Sequence, residues 1–135
     1  MVKHHAWLDK KNNLLWIRIM GFCGLAELDK LFEDSRRLLE VNDTSHVAID
    51  ISAIEGFPDE DVRNRIALGL SAIEAGRVAV ISGRPQINVV AEFIAKDIAV
   101  YADARSFMRK VNALSWLKRK KAKKLTGENL QPGIA

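Results

Sequence analysis

The stretch His46–Asp61, HVAIDISAIEGFPDED, gathers Asp50, Glu55, Asp59, Glu60 and Asp61 around a single hydroxyl, Ser52. Carboxylates at that density suggest metal binding, acid–base chemistry or a negative patch for a basic partner. A Ca²⁺ loop would need more oxygen ligands at regular offsets and a suitably placed Gly turn, and neither is present. Asp59, Glu60 and Asp61 also suit the first turn of a helix, where each acid complements the macrodipole by about 0.3–1 kcal/mol. Asp50 and Ser52 fall near the C-terminal end of an apolar strand, beside which ligands of open parallel sheets bind. A second polar turn, Ser82-Gly83-Arg84-Pro85, ends a later strand. Backbone N–H groups there, together with Arg84, form either an anion seat or an ordinary turn with a solvated arginine.

Other chemistries are poorly supported. His4, His5 and His46 lack metal-ligand spacing and have no paired cysteine or carboxylate beside them. Cys23 has no motif around it and reads as a small buried hydrophobe. Neither Ser52 nor Ser82 sits in a G-x-S-x-G turn, and the Gly83 turn is not a phosphate loop. No catalytic residue, metal or cofactor is expected.

These residues are positioned by a regular alternation of elements. His4–Leu8 and Leu14–Met20 read as strands joined by the polar linker Asp9–Asn13. From Leu25 to Glu40 the apolar period becomes helical, with Leu25, Leu28, Phe32, Ser35 and Leu39 on one stripe. Val47, Ile49 and Ile51 then alternate with Ala48, Asp50 and Ser52, as a strand with one apolar face requires. A helix follows with Pro58 in its first turn, Val62, Ile66, Leu70 and Ile73 as its buried stripe, and Gly76 as its stop. Arg77–Ile81 is a strand, and Ile87, Val90, Ala91 and Ile94 mark a third helix. Ile98–Tyr101, extended toward Phe107, reads as the last strand. Met108–Leu117 begins a fourth helix with Val111 and Leu114 inward.

The order ββαβαβαβα implies an α/β fold with a mixed, mostly parallel sheet of about five strands. One strand face is fully apolar and the other mixed, so helices are expected mainly on one face. The 135 residues fit one compact domain, and the 48% hydrophobic content supplies a core. Residues 1–118 form the domain, and 119–135 form a basic C-terminal extension with a helical start and a frayed end. The charge of +4 is uneven: Lys118, Arg119, Lys120, Lys121, Lys123 and Lys124 lie within seven positions, and without them 15 cations face 17 acids. That segment is a candidate for peripheral contact with an anionic membrane, or a solvated helix end. Nucleic-acid binding through Trp7, Trp16, Trp116 and Phe107 is not expected, since base stacking needs an accompanying basic groove. A single cysteine and the absence of a long apolar run point to the cytoplasm.

The strand VAIDIS, the segment RVAVISG one helix later and the ending DARSFMRKVNALSWL resemble the SpoIIAA-like branch of the STAS superfamily, the anti-sigma-factor antagonists, over about residues 1 to 118. The resemblance implies a non-enzymatic fold used for binding partner proteins or, as in Sec14-like relatives, nonpolar small molecules. In the phospho-regulated antagonists a serine at the start of the helix after this strand is phosphorylated. Here that segment is Phe57-Pro58-Asp59-Glu60-Asp61, without a hydroxyl. The tentative contact set is therefore Asp50, Ser52, Phe57, Asp59, Glu60, Ser82 and Arg84, serving a partner protein through the 52–61 loop and following helix. The alternative is carriage of a nonpolar molecule lined by residues such as Trp16, Phe93 and Tyr101.

Overall fold

The computed structural model describes residues 5–22 and 24–119. Its strands are β1 (His5–Asp9), β2 (Leu14–Gly21), β3 (Val47–Ile54), β4 (Arg77–Ile81) and β5 (Asp103–Phe107). They form one sheet in sequential order, antiparallel between β1 and β2 and parallel thereafter. The helices are α1 (Leu25–Glu40), α2 (Glu60–Ala72), α3 (Asn88–Ile98) and α4 (Lys110–Lys118), with a 3₁₀ turn at Pro85–Ile87.

Sequential order explains why the helices are distributed unequally. Each right-handed crossover advances the parallel sheet one strand in the same direction, so α1, α2 and α3 must lie on one face. Leu15, Ile17 and Ile19 of β2, Val47, Ile49 and Ile51 of β3, and Val78 and Val80 of β4 point into that layer. Leu28, Phe32, Val62, Ile66, Leu70, Val90, Ile94 and Ile98 meet them from the helices. Among the described residues no strand follows α4, and it folds back over the opposite face. There Ala113, Trp116 and Leu117 cover Leu14, Trp16, Ala48, Ala79 and Ile81. Among the described residues the first layer has 22 buried members and the second eight, so the three crossover helices supply most of the hydrophobic stabilisation.

Several boundaries differ from the periodicity reading. Ile98 closes the buried stripe of α3, four residues after Ile94, and the last strand starts only at Asp103. Val111 is 67% exposed, and α4 turns Ala113, Trp116 and Leu117 inward instead. Leu25 is exposed at the start of α1, while Leu31 joins its buried stripe. Pro58 precedes the N-cap of α2, Asp59, rather than occupying the first turn. The chain leaves α2 through Glu74 at φ +56, two residues before Gly76. Helix α4 ends at Lys118, with Arg119 extended at φ −66 and ψ 132. The basic run from Lys120 through Lys124, the rest of the C-terminal extension, His4 and Cys23 lie outside the described residues.

The second layer is held by more than apolar contact. Trp7 and Trp16 stack at 5.8 Å across the β1–β2 pair. Asp9 accepts hydrogen bonds from the Asn12 side chain at 2.7 Å and from the Trp16 indole at 3.1 Å, closing the hairpin beneath them. Arg77, nearly buried, donates to the carbonyls of Trp116 at 2.9 Å and Arg119 at 2.5 Å. A strand arginine thus satisfies carbonyls that a helix C-terminus leaves unpaired.

Candidate functional site

The C-terminal ends of β2, β3 and β4 meet at one rim of the sheet. An extra residue in β3 shifts its pairing with β2, from Arg18 opposite Asp50 to Met20 opposite Ala53. With the shift, Ile54 is turned into the core beside Ile51. Gly21 accepts from the Glu55 N–H at 2.9 Å, tying the loop after β2 to the loop after β3. Helix α2 then starts at the N-cap Asp59, whose carboxylate accepts from the Val62 N–H at 3.0 Å.

Arg84 joins the two loops singled out in the sequence. Its Nε donates to the Ser52 carbonyl at 2.8 Å and its Nη2 to the Ile54 carbonyl at 3.1 Å. The guanidinium is therefore a clasp across the rim. Ser82 is fully buried, with its hydroxyl 2.5 Å from the Asn88 side-chain oxygen. The backbone N–H groups of Ser82 and Gly83 donate to Phe107 and Met108 carbonyls. Gly83, at φ +75, lies so close to β3 that an added Cβ would stand 2.7 Å from Ser52 Cβ.

Asp50 and Ser52 face the opposite side of the sheet from α2. Asp50 accepts from the Ser52 N–H at 2.9 Å and pairs with Arg18 at 3.3 Å. The structure thus divides the contact set. Phe57, Asp59 and Glu60 are exposed on the loop and helix start, Asp50 and Ser52 are half-buried on the other face, Arg84 bridges the loops, and Ser82 is internal.

Phe57, 51% exposed, is the centre of an apolar ridge. Its ring meets Phe93 of α3 edge-on at 5.4 Å. Arg63 stands over both rings, 5.4 Å from Phe57 and 5.6 Å from Phe93. It is fixed there by Asp97 at 3.1 Å and the Pro58 carbonyl at 3.0 Å. Phe22, 67% exposed, lies against Gly56 on the other side of the loop. A cleft of about 150 Å³ lies between Phe22, Ile54, Phe57, Pro58 and Val62. Beyond Phe93, a groove of about 360 Å³ runs between α3 and the edge strand β5, floored by Ala95, Ala99 and Ala104 and open to solvent. Trp16 lies across the sheet from Phe93, so Trp16, Phe93 and Tyr101 do not line one cavity. Among the described residues no three His, Cys, Asp or Glu side chains converge to hold a metal ion.

Phe22 and Arg63 are the rim residues that sequence reasoning missed. Phe22 sits between Gly21 and Gly24, too close to turn residues to continue the strand alternation. Arg63 follows the buried Val62 directly, one position off the apolar stripe of α2. Neither position identifies its neighbours in space.

A sequential mixed sheet with three crossover helices on one face and a terminal helix on the other is the STAS-type α/β fold. Among solved structures, the chain is similar to the anti-sigma factor antagonist SpoIIAA in its unphosphorylated form, with a TM-score of 0.57 and 12% identity over 85% of this chain and 96% of that one. At that identity the likeness establishes the fold. No protein-family model and no curated protein matches the chain. Among the described residues no helix is long and apolar enough to cross a membrane.

Proposed function

We propose that the chain is a cytoplasmic, non-enzymatic regulatory module that binds a partner protein through the loop 52–61 and the start of α2. The observation that supports this reading is the exposed Phe57–Phe93 pair, capped by the ion-paired Arg63, with Phe22 lining the cleft beside Phe57. Exposed aromatics around a fixed arginine have the composition of an interface hot spot. Their apolar area is adjacent, whereas scattered surface hydrophobes carry no such meaning. Glu60 and Asp61 border the ridge on the exposed first turn of α2, favouring a partner with basic residues around an apolar pocket.

The helix start carries permanent charge. Asp59 caps α2 with its own carboxylate, and no hydroxyl occurs from Phe57 to Asp61. The module therefore engages its partner without a phosphoserine at this position. A pull-down with the Phe57→Ala/Glu60→Lys double variant tests the reading. The variant is expected to lose partners that the wild type retains; equal recovery of the same partners would remove this surface from consideration.

A further inference from the structure

The two faces of the sheet carry their charges differently. On the crossover-helix side nearly every cation has an acid beside it. Lys30 pairs with Asp34, Arg36 with Glu33 and Glu40, Arg37 with Glu33, Arg63 with Asp97, and Arg65 with Asp29. On the α4 side Arg18 pairs with Asp50 and Arg77 lies 4.0 Å from Asp103, but the cations on and beside α4 itself differ. Among the described residues, Arg105, Arg109, Lys110, Lys118 and Arg119 are exposed and none has a carboxylate within ion-pair distance. No Asp or Glu occurs from Ala104 to Gly127, a span with nine Lys and Arg.

Aromatic rings hold part of this array in place. Arg105 stands 5.2 Å above Trp116, and the Lys110 ammonium 4.8 Å above Trp16. Between the cations are two exposed apolar side chains, Met108 at 39% and Val111 at 67%. Arg77 fixes the carbonyl of Arg119, which anchors the C-terminal end of α4 beneath this face.

We infer that the α4 face docks on an anionic lipid surface. Unpaired cations complement acidic headgroups, and apolar side chains set among them suit the boundary between headgroups and acyl chains. The same face is a poor platform for single-stranded nucleic acid, because Trp16 and Trp116 are buried beneath the helix and the cations, and the half-buried Trp7 and Phe107 already pack on His5, Trp16 and Trp116. The inference concerns the opposite side of the sheet from the Phe57 ridge and stands independently of the partner reading.

Co-sedimentation of the full chain with phosphatidylcholine vesicles, with and without about one-third phosphatidylserine, tests it. Binding is expected only to the serine-containing vesicles, and it should weaken as salt rises. Arg109→Gln/Lys118→Gln leaves Lys120 to Lys124 intact and should lower the partition about 25-fold, near fivefold for each charge removed. Met108→Ser/Val111→Ser should weaken binding in a way that salt does not reproduce. Lys30→Gln/Lys96→Gln, on the crossover-helix side, should bind as wild type. Equal binding to both vesicle types would overturn the inference, as would no binding to either. Wild-type partition by Arg109→Gln/Lys118→Gln, an equal loss in the Lys30→Gln/Lys96→Gln control, or displacement from vesicles by an oligonucleotide would also overturn it.

Discussion

Replacing Gly83 by Ala tests the rim geometry with a magnitude set by two separable effects. Gly83 adopts φ +75, a left-handed conformation that costs an L-residue about 1–2 kcal/mol. The new Cβ would also stand 2.7 Å from Ser52 Cβ and 3.7 Å from its Cα. Something must shift, and the nearest atom belongs to the end of a central strand rather than to a flexible side-chain tip. Overpacking of this kind adds about 1–3 kcal/mol, so the combined loss should be about 2–5 kcal/mol. Urea unfolding followed through Trp7, Trp16 and Trp116 fluorescence should show a lower midpoint with an unchanged slope. Ser52→Gly removes the opposing Cβ, and the double variant should recover the steric share while retaining the left-handed share. A coupling of about 1–3 kcal/mol in the cycle, equal to the steric share, is expected. A Gly83→Ala loss below about 0.5 kcal/mol, or one that Ser52→Gly leaves unchanged, would refute this picture of the rim.

Asp59→Ala should destabilise the protein by about 1 kcal/mol through loss of the Val62 cap, whereas Asp59→Ser should retain most of it; thermal melts of the three proteins compare them directly. Hydrogen bonds from the Asn12 side chain first, and from Trp16 after it, hold the Asp9 carboxyl below its ordinary 3.8. Its stabilising contribution is therefore full above that value and fades as pH falls through the lower folded value. In Asp9→Asn, urea midpoints should be lower near neutrality and should lose this component of their decline on the acid limb.

The amino-acid pattern exposes the sheet more readily than the rim. Val47, Ile49 and Ile51 alternate strictly because one face of β3 is packed by helices, and that alternation survives in the structure. Sequential β–α alternation likewise determines the one-sided arrangement of α1, α2 and α3. The pattern misleads at Ile98–Tyr101, where a short apolar run resembles a strand but Ile98 continues the four-residue spacing of α3. The true edge strand, Asp103–Phe107, pairs on one side only and tolerates polar residues. Helix α4 is too short for its period to determine its rotation, so the docking of Trp116 determines it instead and leaves Val111 outside.

At the rim, the turns Ser52–Asp61 and Ser82–Gln86 are legible as neighbours because β3 and β4 are adjacent parallel strands. The use of Arg84 is not legible, since its acceptors are backbone carbonyls that every residue possesses. The packing of Phe57 on Phe93, and the cleft that Phe57 shares with Phe22, depend on chain segments more than 30 residues apart, so no local spacing announces them.

Amide hydrogen exchange of the full chain, alone and bound to a captured partner, tests the partner-binding claim most directly. Exchange should slow over residues 55–63 and in the first half of α3 around Phe93, with α4 unchanged. Slowing confined to α4 or to the exposed side of α1, with residues 55–63 exchanging as in the free chain, would contradict it.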